Sequence, residues 1–225
     1  MTLDLHNFFK YYDDSNENHV AAVQWLEDNL PAEFMDDSAC EWIRIYRTKP
    51  PAPAVLNVPY FNQVDNYRDA HRTCNSSSCA MCLAFLKPGS IKTDDEYIKK
   101  VFAIGDTTDH EVQTKVLAGY GVKSHFSYNL SFADIDKSLD AGKPVVIGIL
   151  HRGPLTAPTG GHMVCVIGKT PDEKGYYVND PYGSLNDGYS GPVTNGNKTI
   201  YTKEVLKYRW LENGKQGTGW GRIFD

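Results

Sequence analysis

No run of apolar residues in this chain is long enough to cross a membrane as a helix. The longest, such as Val145 to Leu150, are strand-sized, against the roughly 20 residues that a spanning helix needs. The start, M-T-L-D-L-H-N-F-F-K-Y-Y-D-D, lacks the basic region and continuous apolar core of a secretory signal. The expectation is a soluble protein made in the cytoplasm. An excess of positive charge is missing too. With 23 Lys and Arg against 28 Asp and Glu, the net charge is −5, and a pI of 5.8 speaks against a nucleic-acid partner. A disulfide framework is excluded by the odd count of five cysteines, Cys40, Cys74, Cys79, Cys82 and Cys165, with no signal peptide before them. There is no internal repeat and no low-complexity tract. The glycine-rich turns, such as Gly188 to Gly196, do not fit a phosphate-binding loop, and no cofactor pattern is present.

What remains is an ordinary globular composition. The 225 residues are 41% hydrophobic and 12% aromatic, enough for one sizeable core and a small appendage. Residues 1–50 read as a small, mainly helical segment. Val20, Val23, Trp25, Leu26 and Leu30 fall at helical spacing between Asn18 and Leu30, Pro31 ends the run, and Glu41 to Arg47 alternates as a strand would. Lys49-Pro50-Pro51-Ala52-Pro53-Ala54 is a stiff connector. The main domain, 55–225, opens with helices expected at Cys74 to Leu86, Asp94 to Ile104, Asp109 to Ala118 and Phe132 to Leu139. Strands are expected at Pro144 to Leu150, His162 to Gly168, Gly175 to Asn179, Asn197 to Thr202 and Trp220 to Phe224. Helices first and sheet second describes an α+β domain with its two lobes segregated along the chain.

Chemistry is concentrated in four segments. In R-T-C-N-S-S-S-C-A-M-C-L-A-F-L a polar run gives way to an apolar helix, which puts Cys74 at the helix start. Unpaired N–H groups and the positive dipole end there favour a thiolate, the form that attacks; the bland alternative is a buried capping cysteine. Cys79 and Cys82 lie inside the apolar part of that helix. They read as core rather than as a zinc or redox pair, because no further ligands and no βαβ context accompany them. Of seven histidines, His162 follows Thr159-Gly160-Gly161 and opens an apolar strand, so the strand fixes it while the glycines leave room for a cleft. His151, at another strand end, is the second candidate base. If the strands 162–168 and 175–179 pair as a hairpin, Asp180 returns to the end where His162 begins. It would there accept the imidazole Nδ1–H, although Asp-Pro-Tyr-Gly is also explained as a turn. Asn179 is the other possible orienter, but alternation points its side chain the opposite way. Gln63, in V-P-Y-F-N-Q-V-D-N, is a possible oxyanion donor alongside the Cys74 N–H. Asp65, Asn66 and Asp69 form an oxygen-rich loop that is a candidate calcium site or simply a solvated loop. Tyr182, Tyr189, Trp210 and Trp220 are candidates to line a groove or to pack.

The order Gln63, Cys74, His162, Asp180, with the cysteine on the first main-domain helix and the histidine and aspartate on the later sheet, resembles the papain-like arrangement. More closely, V-P-Y-F-N-Q-V-D-N, T-C-N-S-S-S-C-A-M-C-L-A-F-L, G-G-H-M-V-C-V-I-G and V-N-D-P-Y-G are similar to the double-glycine leader peptidase-like group, family thirty-nine of the cysteine peptidases. The match spans Val55 to Gly183. It implies Cys74 as nucleophile, His162 as base, Asp180 as orienter and Gln63 as oxyanion donor, in a papain-like α+β fold without a cofactor or metal. No transporter domain or membrane span follows, so leader processing during export is not the expected role. In the first fifty residues, F-F-K-Y-Y-D and A-A-V-Q-W-L-E-D-N-L-P resemble segments of phage-encoded wall-degrading proteins. Together these resemblances imply a cysteine peptidase of the endolysin or virion-associated type, acting on peptidoglycan stem or cross-bridge peptides after release by the lysis machinery. Acyl transfer or deamidation on the same residues, and a non-catalytic binding module, are the alternatives.

Overall fold

The computed structural model describes residues 55–225 and, nearer the N-terminus, residues 19, 21, 24, 25, 28 and 29. The chain divides into two units, Met1–Ala52 and Pro53–Asp225. In the first unit the six described positions are helical. Gln24 Nε2 donates to Asp28 Oδ1 (3.0 Å) and Asn29 Nδ2 to the carbonyl of Trp25 (2.9 Å). The strand expected at 41–47, the proline-rich connector and Cys40 lie outside the described residues.

The second unit is built from five helices and one sheet of six antiparallel strands among the described residues. In chain order these are α1 (Cys74–Leu86), α2 (Asp94–Ile104), α3 (His110–Gly119), β1 (Ser124–Leu130), α4 (Phe132–Asp140), β2 (Val145–Ile149), β3 (His162–Lys169), β4 (Gly175–Asn179), β5 (Thr199–Thr202), α5 (Lys203–Arg209) and β6 (Gly219–Phe224). The sheet order is β1-β6-β2-β3-β4-β5. No helix among the described residues is long and apolar enough to cross a membrane.

Side-chain alternation explains the layers. Along β3, Met163, Cys165 and Ile167 join Val146 and Phe224 in a core with α1, α2 and α3. Val164 and Val166, one residue out of step, join Val145, Ile147, Tyr176 and Tyr201 in a second core with α4 and α5. The sheet is therefore covered on both faces, and β2, β3 and β4 are almost wholly buried. This explains their unbroken apolar runs. α1 is the central helix: every residue from Asn75 to Leu83 is buried, the polar ones included.

Two elements depart from the expected segregation of helices and sheet. β1 lies between helices in the chain and pairs with the C-terminal β6 (Ser124 opposite Phe224) at the sheet edge. Its sequence, S-H-F-S-Y-N-L, does alternate Phe126, Tyr128 and Leu130 with polar residues, a strand signal missing from the elements expected above; at the sheet edge only Leu130 is buried. α5 is a seven-residue helix between β5 and β6, too short for its period to stand out.

Candidate active site

Cys74 is the first residue of α1. Two short 3₁₀ turns lead into it, Gln63–Asp65 and Ala70–Arg72. The α1 start is anchored from below by buried polar groups. Asn66 Nδ2 donates to Thr73 Oγ1 (2.8 Å) and to Ser77 Oγ (2.9 Å), and Ser77 Oγ donates to Asp94 Oδ2 (2.6 Å). One turn on from Cys74, Ser78 Oγ donates to the carbonyl of Met163 (3.0 Å). That bond ties the helix to the strand residue next to His162.

His162 opens β3, and Asp180 immediately follows β4. β3 and β4 are antiparallel neighbours, with Cys165 opposite Asn179, so the two ends meet. His162 Nε2 lies 2.6 Å from Asp180 Oδ1, and the pair is buried. The bond runs through Nε2, not through the Nδ1 expected from sequence. Nε2 is the ring nitrogen farther from the backbone, so the carboxylate lies beyond the ring and Nδ1 is left for the sulfur. The ring and the Cys74 thiol are close enough for each to shift the ionisation of the other.

Asp180 is held by four donors. Oδ1 accepts from His162 and from the Tyr182 N–H (2.9 Å); Oδ2 accepts from the hydroxyls of Tyr201 (2.7 Å) and Tyr189 (3.2 Å). A buried carboxylate needs such partners to stay charged. Burial and then the charge of Asp180 push both phenols upward, so they remain donors. The backbone of Asp180 is fixed as well: its N–H donates to Gly196 O (2.9 Å), and its carbonyl lies 3.0 Å from the Tyr60 hydroxyl. Tyr201 carries no signal in the sequence as a site residue, because only the β4–β5 pairing brings it to Asp180.

The electrostatics separate this cysteine from the others. Burial alone would raise the Cys74 thiol. The hydrogen bond and charge of His162, with backbone hydrogen bonds at Met163 and Asn75, outweigh burial and hold it below its ordinary value. Burial likewise opposes a charge on His162, but the Asp180 charge and hydrogen bond, then Cys74, lift the ring to about 10. The arrangement therefore favours a thiolate–imidazolium pair across the neutral range. Cys79 is pushed up to about 11 by burial, and Cys82 is also raised, first by burial and then by Cys165, whose sulfur lies 3.3 Å away. These three are free, buried thiols.

Gln63 is buried and packs against both sides of the site. Its N–H donates to the carbonyl of Pro181, next to Asp180 (2.8 Å), and its Nε2 donates to the carbonyl of Ala70 in the turn before Cys74 (2.8 Å). One amide hydrogen remains for a ligand, and Oε1 has no partner. Asn179 faces away: it donates to Val58 O (3.1 Å) and accepts from Lys198 N (3.0 Å). His151 stands beside His162, the ring centroids 5.2 Å apart, and has no carboxylate to orient it.

The candidate calcium loop is not assembled. Asp65 accepts from Asn62 (2.8 Å), Asn66 turns inward to Thr73 and Ser77, and Asp69 pairs with Arg68 (3.3 Å). Among the described residues no group of three or more His, Cys, Asp or Glu is placed to hold a metal ion. Of the aromatics, Tyr182 and Tyr189 flank the His162 ring, at 6.2 Å and 5.9 Å. Trp210 is core, and Trp220 covers the space over Gly148 that any side chain there would fill.

Comparison with known proteins places this geometry in context. Residues 55–218 match the model of the peptidase C39-like family. A C39-like peptidase from Bacillus anthracis superposes with a TM-score of 0.54 at 16% identity, over 78% of this chain and 98% of that one. A double-glycine-motif protease from an AMS/PCAT transporter, solved with its leader peptide, gives 0.49 at 18% identity over 76% and 93%. The peptidase domain of Streptococcus ComA, a bifunctional ABC transporter of quorum sensing, gives 0.49 at 15% identity over 75% and 98%. No curated protein sequence matches the chain.

Proposed function

The chain belongs to the peptidase C39-like family and is a cysteine-type peptidase of papain-like fold; from that premise we propose that Cys74, His162, Asp180 and Gln63 are its catalytic residues. The observation that carries this reading is the buried His162–Asp180 pair at 2.6 Å, its carboxylate met by four donors, with a Cys74 thiol that this histidine holds below its ordinary value. The Cys74 thiolate attacks the peptide carbonyl. Negative charge on the carbonyl oxygen is met by the backbone N–H of Cys74 at the helix start and the free amide hydrogen of Gln63. The His162 imidazolium gives its proton to the departing amine, leaving a thioester. Neutral His162 then takes a proton from water, hydroxide adds to the thioester, and the acid and the thiolate–imidazolium pair are restored. Asp180 keeps the ring oriented and stabilises its charged form.

The substrate we propose is a peptide of peptidoglycan, cleaved by an endolysin-type or virion-associated enzyme. What supports this is the likeness of F-F-K-Y-Y-D and A-A-V-Q-W-L-E-D-N-L-P to segments of phage wall-degrading proteins. The test is clearing of a purified peptidoglycan suspension by wild type, Cys74→Ala and Cys79→Ala. Wild type and Cys79→Ala are expected to clear it, and Cys74→Ala is not. Equal clearing by Cys74→Ala would exclude the nucleophile. No clearing by any of the three would exclude the wall substrate.

A further inference from the structure

Near His162 lies an open cleft of about 530 Å³, bordered by His151, Arg152, Tyr182, Tyr189 and Arg209. Three of these side chains, His151, Tyr182 and Tyr189, also border the His162 ring, with centroids 5.2 to 6.2 Å away. Its volume is that of a small-ligand site.

The charge of this cleft is unbalanced. Arg209 is nearly buried, yet its guanidinium contacts only neutral carbonyls: Leu150 O (2.6 Å), Arg152 O (3.3 Å) and Gly153 O (2.9 Å). Neither Arg209 nor Arg152 is ion-paired with a described carboxylate. A charge taken out of water normally has a counter-charge. Both oxygens of Asp180 are occupied by the four donors above. Asp187, next to Gly188, accepts from Asn195 through Oδ2 (3.0 Å), its buried Oδ1 has no partner, and the residue does not line the cleft.

His151 borders the cleft as a neutral ring. Its Nε2 accepts from Arg152 Nε (3.2 Å), so in the neutral ring Nδ1 carries the proton. That Nδ1 is buried and has no partner. Burial, then the charges of His162 and Arg152, push the ring down to about 4, which keeps it in this neutral form. Two guanidinium groups without a carboxylate partner, one exposed on Arg152 and one nearly buried on Arg209, thus border the same space, while the His151 Nδ1 lies against Gly160.

We propose that this cleft is a subsite for a carboxylate on the leaving-group half of the peptide substrate, held by Arg152 in the field of Arg209. The side of the scissile bond rests on the reading of His162 as the proton donor to the departing amine. That amine must pass the His162 ring, and the residues after it then enter the cleft. The carboxylate has two possible sources, an acidic side chain or a free C-terminus.

The test uses the full chain and three short peptides that mimic the released half: Gly-Glu-amide, Gly-Gly with a free C-terminus, and neutral Gly-Gln-amide. Binding is read from the His151 imidazole resonance in an NMR titration. At least one of the two acids is expected to bind roughly tenfold or more tightly than Gly-Gln-amide, a span typical of charge-assisted hydrogen bonds. Which acid wins identifies the source. Arg152→Gln is expected to erase the difference. Equal binding of all three peptides, no shift with any of them, or an advantage that survives Arg152→Gln would overturn the proposal. Because Cys74→Ala leaves the cleft intact, the same titration on that variant separates failure of this subsite from failure of the catalytic reading.

Discussion

Four of the five cysteines are described, and their surroundings assign them opposite chemistry. Cys74 is held below its ordinary value by His162, whereas Cys79 is pushed up to about 11 and Cys82 is raised as well. At neutral pH iodoacetamide should therefore alkylate Cys74 well before the buried thiols, as intact-mass and peptide mapping would read; comparable labelling of Cys79 would contradict this. The pH dependence follows from the same two groups. The active pair needs Cys74 deprotonated and His162 protonated. Activity should fall at low pH as the thiolate is protonated and at high pH as His162, lifted to about 10, loses its proton. Asp180→Asn removes the first-named cause of that lift. The alkaline limb should move to lower pH and the acid limb to higher pH, with kcat lower by roughly 10²–10⁴-fold. An unshifted profile would mean that Asp180 does not act through His162. Cys74, His162 and Asp180 were legible in the sequence because each stands where a polar or glycine-rich segment meets an apolar element. The choice of Nε2 over Nδ1 was not, since it depends on which side of the ring the carboxylate reaches. The tyrosine hydroxyls on Asp180 come from β5 and from the loop after β4, and only the folded sheet gathers them.

At the scale of elements, the site is where one helix start meets two strand ends, and each junction has its own weak point. The α1 start rests on Asp94, whose carboxyl is pushed up to about 6 by burial, against the opposing hydrogen bond from Ser77. For an acid with a raised value, folding favours the protonated form. Its contribution is full below the ordinary value near 3.8 and is lost as pH rises through about 6. Asp94→Asn keeps an acceptor for Ser77 without the buried charge. It should stabilise the protein near pH 8, by on the order of 2 kcal/mol in denaturant unfolding, with the gain gone near pH 4. A loss at pH 8 would show that the charge itself holds the network. The strand-end junction depends on Gly196, where an added Cβ would come within 2.1 Å of the Asp180 carbonyl, a backbone atom with no room to yield. Gly196→Ala should therefore displace Asp180 and move the alkaline limb as Asp180→Asn does, at a stability cost of roughly 1–3 kcal/mol. Normal kinetics in this variant would argue against tight coupling. The strong elements were readable from composition alone: α1 and α2 end at Pro88-Gly89 and Gly105, and β3 and β4 are apolar runs between turns. β1 and α5 were not. One is an edge strand that alternates Phe126, Tyr128 and Leu130 but stands alone between helices, its only partner being the distant β6; the other is a single short amphipathic stretch fixed by packing against the second core.

At the scale of the whole molecule, the residues of the proposed site that the structure describes lie in the second unit. Gln63, Cys74, His162 and Asp180 all fall within Pro53–Asp225, and so do both cores of the sheet. A unit that buries both faces of its sheet and holds all four proposed catalytic residues has what a folding domain requires. On that proposal the first fifty residues are expected to serve something other than bond cleavage. The reading from their sequence is attachment to the wall, where many weak contacts raise the local concentration of a tethered enzyme at an insoluble substrate. Deletion of residues 1–50 should accordingly leave kcat/KM on a short soluble peptide unchanged while slowing the clearing of whole walls. The ratio of the two rates is the informative quantity, because general destabilisation lowers both together. Equal loss on both substrates would place the segment in the stability of the catalytic unit instead, and equal retention on both would leave attachment to the second unit itself. With a net charge of −5, the chain is repelled, not attracted, by an anionic wall polymer, so raising the salt concentration should leave wall clearing unchanged or raise it slightly.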